Sequence, residues 1–312
     1  MDCCTIKPLY LSNRKDYNIV STVLFNMKSC YKNFNKYLYG IENWLKLIND
    51  QLSTFYLRVY IDDSIIKNDK FYESIKKIDE KNKKLQLVYF NCNKFKNGDY
   101  HKELFPTLIR FLPLFKYPNN DTNYVLIRDL DVDKYNKNIK LLFSNYVEKF
   151  SKIKKSSGII MNLIGYEPDH IKDVKNKWGF NIMAPALSTN IKLSITILKN
   201  YINKLDRNNK NNILKYGVDE IFLNDVLLDF YIPYKNQIAV ITPSYSFYYI
   251  KNSLSKSLHY SKYDNESKEA IKCKNIDQLI NFMNKNKSII KDKYRKQIEN
   301  YNPNNIITNY YL

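Results

Sequence analysis

Short apolar runs alternate with amphipathic stretches through the first two thirds of the chain, the pattern of a mostly parallel sheet covered by helices. The runs predict strands near Ile19 to Phe25, Phe55 to Ile61, Leu85 to Phe90, Gly158 to Leu163 and Ile238 to Thr242, and one from Val125 that ends in aspartates. Between them, a period near 3.6 predicts helices from about Phe34 to Ile48, Lys70 to Lys81, Ile139 to Lys152 and Asn190 to Leu205, with another opening at Tyr216. His101 to Phe115 also reads as a helix, with Leu108, Phe111, Leu112 and Phe115 on one stripe and Pro106 tolerated in the first turn. After Lys251 the chain turns Lys- and Asn-rich, and Ile276, Leu279, Ile280 and Met283 form one more apolar stripe. The expected organisation is an α/β domain over residues 1–250 and a basic, mainly helical extension over 251–312.

The strand from Val125 runs straight into Asp129-Leu130-Asp131-Val132-Asp133. In an extended chain, residues two apart share a side at roughly 6.8 Å, so Asp129, Asp131 and Asp133 can aim carboxylates into one space. Carboxylates that converge at a strand's carboxyl end repel one another unless a cation sits between them. A hard divalent ion carrying a phosphorylated ligand fits best. The plain alternative is an aspartate-rich turn that caps a helix.

Composition narrows the field. The 28 Tyr and 16 Phe exclude global disorder. No run of about 18 apolar residues occurs, and the opening MDCCTIKPLY lacks the apolar core of a signal peptide, so a soluble, cytoplasmic protein is expected. The five cysteines, Cys3, Cys4, Cys30, Cys92 and Cys273, form no Cys-x-x-Cys pair and no even set. Reduced thiols are expected, and zinc is a poor fit. A net charge of +19 ordinarily suggests nucleic acid or an anionic surface. Only six of the 50 basic residues are arginine, however, which favours compositional drift over a solvated surface, and nucleic acid is not the expected partner. Three of the six, Arg58, Arg110 and Arg128, lie in the stretch leading to the aspartates, and a planar bidentate donor does what lysine cannot. The six glycines form neither Gly-x-Gly-x-x-Gly nor a phosphate loop.

The order strand, Arg-bearing helix, strand, Asp-x-Asp and then Asp219-Glu220-x-x-Leu223-Asn224 resembles the nucleotide-sugar glycosyltransferases of GT-A fold, in particular the glycogenin-like family 8 and family 32. FPTLIRFLPLF from Phe105 and VLIRDLD ending at Asp131 carry most of the similarity, which covers roughly residues 15 to 260. It implies a GT-A-like fold and a metal-dependent transferase that moves a sugar from a nucleotide sugar, expected to be UDP-linked, to a glycan or protein acceptor, with Mn²⁺ or Mg²⁺ as cofactor. Asp129 and Asp131 match the Asp-x-Asp, the second as a metal ligand and the first reaching the metal or the ribose. Asp133 is an extra carboxylate that either replaces one of them or caps the next helix. His259 falls near a histidine metal ligand of family 8 and is followed by Lys262, but the family's Pro-Trp is missing.

Thr107 and Arg110 are three apart and able to face away from the apolar stripe; the resemblance implies that a basic residue on this helix holds the sugar nucleotide, and the alternative is a surface arginine or one that salt-bridges a core aspartate. Asp62 is either a base or ribose contact or a helix cap. Asp219 and Glu220 match the family 8 Asp-Gln pair with the glutamine replaced by glutamate, or else are the acids that favour a helix N-terminus. A carboxylate there can act as general base, so retaining and inverting routes both stay open. Trp178-Gly179-Phe180 and the tyrosines at 245, 248 and 249 form either a sugar-stacking wall or core. The compositional bias together with this fold also resembles proteins of large DNA viruses of protists. Two other readings stand beside this one. A non-catalytic protein with a basic nucleic-acid-binding face would show steeply salt-dependent binding. A nucleotidyltransferase would need a Gly-Ser helix start where this chain has FLPLFKYPNN.

Overall fold

The computed structural model describes residues 4–9, 17–27, 34–117, 122–130, 147–148, 151–152, 156–162, 182–207, 217–231, 233–234, 238–242 and 271–273. Their contacts divide the chain into two compact units, residues 1–132 with 189–219, and residues 133–188 with 220–312.

The first unit opens with β1 (Cys4–Pro8), β2 (Tyr17–Leu24), α1 (Phe34–Asp50), β3 (Phe55–Ile61), α2 (Asp63–Ile66), α3 (Asp69–Lys81) and β4 (Leu85–Cys92). A small hairpin, β5 (Lys96–Asn97) with β6 (Tyr100–His101), leads to a 3₁₀ helix over Phe105–Leu114. β7 (Phe115–Lys116) and β8 (Thr122–Ile127) follow. The main strands lie in the order β1-β4-β3-β2-β8. β2, β3, β4 and β8 are mutually parallel, with Ser21 opposite both Arg58 and Ile127, so β3 and β8 present their carboxyl ends at the same edge. β2, flanked by β3 and β8, is buried along nearly its whole length, as expected of a sheet covered on both faces.

α1 and α3 lie where the pattern places them; the helix expected from Asn190 begins only at Ile195, because Leu193 and Ser194 pair as a strand, and the helix expected over 139–152 lies largely outside the described residues. On α1, Ile41, Trp44, Leu45 and Ile48 are buried at i, i+3, i+4 and i+7, and on α3 Phe71, Ile75 and Ile78 repeat the device. Asn68 caps α3 by accepting from the Phe71 N–H at 3.2 Å.

In the second unit, β9 (Gly158–Asn162) lies beside β10 (Ile182–Thr189). β12 (Ile238–Thr242) pairs parallel with β9 and antiparallel with β13 (Ile271–Cys273). In the first unit, β11 (Leu193–Ser194) pairs with β7 and leads into α4 (Ile195–Arg207). α5 (Val218–Phe222), a π-helical segment over Leu223–Leu227 and α6 (Leu228–Tyr231) form one helical stretch.

The α/β class and the mostly parallel sheet agree with the sequence pattern. The expected boundary at residues 250 and 251 and the helix over 276–283 lie outside the described residues, and within the extension the described element is the strand β13. Three expectations change. β1 joins the sheet as an antiparallel edge, with Cys4 opposite Cys92, and the two cysteines form a disulfide where reduced thiols were expected. Within the 101–115 segment, His101 ends a hairpin strand and Phe105–Leu114 form a 3₁₀ helix whose residues are buried almost all round. Among the described residues no helix is long and apolar enough to cross a membrane.

Candidate active site

The geometry is built at the carboxyl edge of the first unit's sheet, the place where open α/β sheets bind ligands. Its centre is Arg110, 3% exposed in the 3₁₀ helix. With three residues per turn, Thr107, Arg110 and Pro113 fall on one line of that helix. Arg110 therefore does not face solvent away from an apolar stripe, as an α-helix would have placed it. Its main-chain carbonyl accepts from Ser21 Oγ at 2.7 Å, which anchors the helix to β2. Lys192 Nζ donates to the Pro113 carbonyl at 2.7 Å and to Thr122 Oγ1 at 2.8 Å, closing the helix's far end.

The guanidinium bridges two carboxylates. Nη1 donates to Asp129 Oδ1 and Nη2 to Asp219 Oδ2. The Asp129 side chain is 43% exposed and that of Asp219 12%, so the group opens toward solvent on the Asp129 side. Two carboxylates against one guanidinium leave this trio one negative charge in excess. Asp219 reaches its place because Gly217, at φ +91°, turns the chain into α5, a conformation open to glycine without a Cβ clash. The Tyr201 hydroxyl donates to the Val218 carbonyl at 3.4 Å at the same turn.

Glu220 follows on α5 and is half-buried; its carbonyl accepts from Asn224 Nδ2 at 2.9 Å. The π-helical segment after it is a feature often found at functional sites. Thr107 is half-buried, and its hydroxyl donates to the Leu104 carbonyl at 2.8 Å, tightening the first turn of the Arg110 helix.

Asp62, at the end of β3, is fully buried. Its Oδ1 accepts from Ser64 N at 3.1 Å and Ser64 Oγ at 2.5 Å, capping α2, and Oδ2 lies 2.7 Å from His101 Nδ1. His101 Nε2 accepts from the Cys92 N–H at 3.0 Å, which assigns the ring proton to Nδ1. The ring is stacked on Phe90 at 4.8 Å. Next door, burial raises the pKa of Asp63, but Lys96 and a 2.8 Å hydrogen bond from the Tyr89 hydroxyl more than offset it and leave the carboxyl below its usual value. Burial and the Asp63 carboxylate push Tyr89 up to about 12.

Asp131, Asp133 and His259 lie outside the described residues, as do Trp178-Gly179-Phe180 and the tyrosines at 245, 248 and 249. Among the described residues no three of His, Cys, Asp and Glu converge as a metal set. The structure thus brings together Arg110, Asp129 and Asp219, from positions up to 109 residues apart. Sequence reasoning passed over Trp44, whose Nε1 donates to the Asp129 carbonyl at 3.0 Å, and Gly40, whose missing side chain admits the Leu130 carbonyl. The available signal was a glycine inside a helical pattern, unfavourable unless something approaches closely.

No protein-family model matches the chain, and no curated protein does either. Among solved structures, the chain is similar to residues 1–349 of Staphylococcus aureus TarS at 14% identity, covering 92% of this chain and 89% of that one, with a TM-score of 0.34. The same protein in complex with UDP gives 15% identity, 91% and 89% coverage and a TM-score of 0.35. At these TM-scores the likeness carries no weight for function, and the case rests on the site itself.

Proposed function

We propose that this chain is a metal-dependent glycosyltransferase that transfers a sugar from a nucleotide sugar, UDP-linked, to a glycan or protein acceptor. The observation that supports it is Arg110 held between Asp129 and Asp219 at the carboxyl edge of a parallel sheet, which joins the two halves of the sequence resemblance in one place.

A hard cation suits this setting, since the donors are carboxylate oxygens and Asp129 is nearly half exposed. Asp129, with Asp131 and His259, would hold Mn²⁺ or Mg²⁺, which when bound neutralises charge on a departing diphosphate. Arg110 and Thr107 orient the nucleotide sugar. Arg110 also holds the Asp219 carboxylate at a fixed place, ready to stabilise positive charge on the sugar or to accept a proton. Glu220 is the second candidate base. Asp62 we assign to the fold, since its buried carboxylate is engaged by Ser64 and His101.

Thermal-shift measurement with UDP, GDP and CMP, each with and without Mn²⁺, tests the reading. UDP with Mn²⁺ should raise the melting temperature well beyond UDP alone, and Asp131→Asn should abolish the difference. If no nucleotide stabilises the protein in a metal-dependent way, or if Asp131→Asn leaves the effect intact, the reading fails.

A further inference from the structure

We propose that α1 is a positioning element for the site, and that the Trp44 indole N–H sets the aim of the Asp129 carboxylate and so the affinity for a metal-bound nucleoside diphosphate. This rests on the functional reading above and adds residues that no sequence motif marks.

Four contacts carry it. Trp44, 1% exposed, donates from Nε1 to the Asp129 carbonyl at 3.0 Å. An indole nitrogen is a donor only, and a buried N–H that lost this acceptor would be left without one, so the bond holds the main chain of Asp129 firmly to the helix. One turn earlier, a Cβ built on Gly40 would lie 1.9 Å from the Leu130 carbonyl oxygen, a main-chain atom that cannot swing aside as a flexible side chain could. α1 therefore meets the backbone at two successive residues, 129 and 130. On the other side of Asp129, the Arg128 guanidinium lies 5.9 Å from the Trp44 ring centre, and the Arg128 N–H donates to the Ser21 carbonyl at 3.0 Å.

Ser21 also receives the Arg110 helix through its hydroxyl. The main chains that bear Arg110 and Asp129 are thus both fixed, one through β2 and Lys192 and the other through β2 and α1. What remains adjustable is the pair of side chains themselves, which is the condition for a carboxylate that must meet a cation in one geometry. A tryptophan present only to fill the core would contribute volume here; this one also directs its single polar atom at the residue whose carboxylate joins the Arg110 cluster.

Trp44→Phe separates the two roles, because it keeps an aromatic ring near Arg128 and removes the N–H. Calorimetric titration with UDP, with and without Mn²⁺, should show affinity for UDP with Mn²⁺ lowered about fivefold. Affinity for UDP alone should be unchanged, and the melting temperature within a few degrees of the unaltered protein. Equal affinity for UDP with Mn²⁺ in both proteins would overturn the positioning role and leave the transferase reading standing. An unaltered protein that binds UDP no better with Mn²⁺ than without would bring down both. Should Trp44→Phe fail to fold, the indole ¹H–¹⁵N signal of Trp44 in the unaltered protein decides: it must shift on saturation with UDP and Mg²⁺, and a signal that stays in place overturns the proposal.

Discussion

β3 and β8 lie on either side of β2, run parallel and each deliver an aspartate to the same edge of the sheet, yet the two carboxylates have opposite surroundings. Asp62 is sealed, with its oxygens bound to Ser64 and His101, and its work is to start α2 and hold the His101 loop. Asp129 is 43% exposed, is held from beneath by Trp44 through its main chain, and shares Arg110 with Asp219. A carboxylate at a strand end is thus not a site by virtue of its place. What separates the two is a charge partner that leaves one face open, as against neutral donors that close every face.

The comparison can be broken most forcefully at Arg110. Arg110→Met removes the one guanidinium shared by Asp129 and Asp219. It should lower stability in urea denaturation by about 3 kcal/mol, since removing one member of a mostly buried ion group is strongly destabilising. The same variant should lose stabilisation by UDP with Mn²⁺.

Next come the two aspartates as a crossed pair. Asp62→Asn should destabilise by about 2 kcal/mol, through the lost cap and the weakened His101 bond. It should still respond to UDP with Mn²⁺. Asp129→Asn should change stability by under about 1 kcal/mol, because its carboxylate is partly solvated, and yet abolish that response. The reverse pattern, with Asp62 needed for nucleotide binding and Asp129 not, would exchange their roles.

The smallest effect is at Tyr89, beside the sealed aspartate. Its folded pKa, raised from 10.0 to about 12, favours the neutral phenol in the native state. The corresponding stability is complete below pH 10 and is lost as pH rises from 10 toward 12. Tyr89→Phe should flatten that limb of the melting-temperature profile; an unchanged limb would show that the Asp63 contact is too exposed to matter.

Much of the fold was legible because it rests on local pattern. The strands at Phe55–Ile61 and Ile238–Thr242 are found at their expected bounds, since a mostly apolar run flanked by polar residues leaves little room for error. β1 was missed because a five-residue edge strand with exposed positions and a terminal proline has no apolar signature; its identity comes from a partner 88 residues away. The 3₁₀ helix was visible in retrospect. Phe105, Leu108, Phe111 and Leu114 recur every third residue, while Leu112 and Phe115 supplied a competing α-helical period. At the site, the types of residue were readable and the distances were not. That Asp219 meets Arg110 depends on the turn at Gly217 and the course of the 3₁₀ helix, neither of which spacing along the chain encodes.

The pairing of β1 with β4 has a consequence for synthesis on the ribosome. Cys4 leaves the exit tunnel on the order of ten seconds before Cys92 at ordinary elongation rates. Through that interval β1 has neither its neighbouring strand nor its thiol partner, while β2, α1 and β3 are already free to associate. β1 is made before the strand it pairs with, so the nascent chain passes through a stage in which a thiol and an open strand edge precede the partners that later cover them.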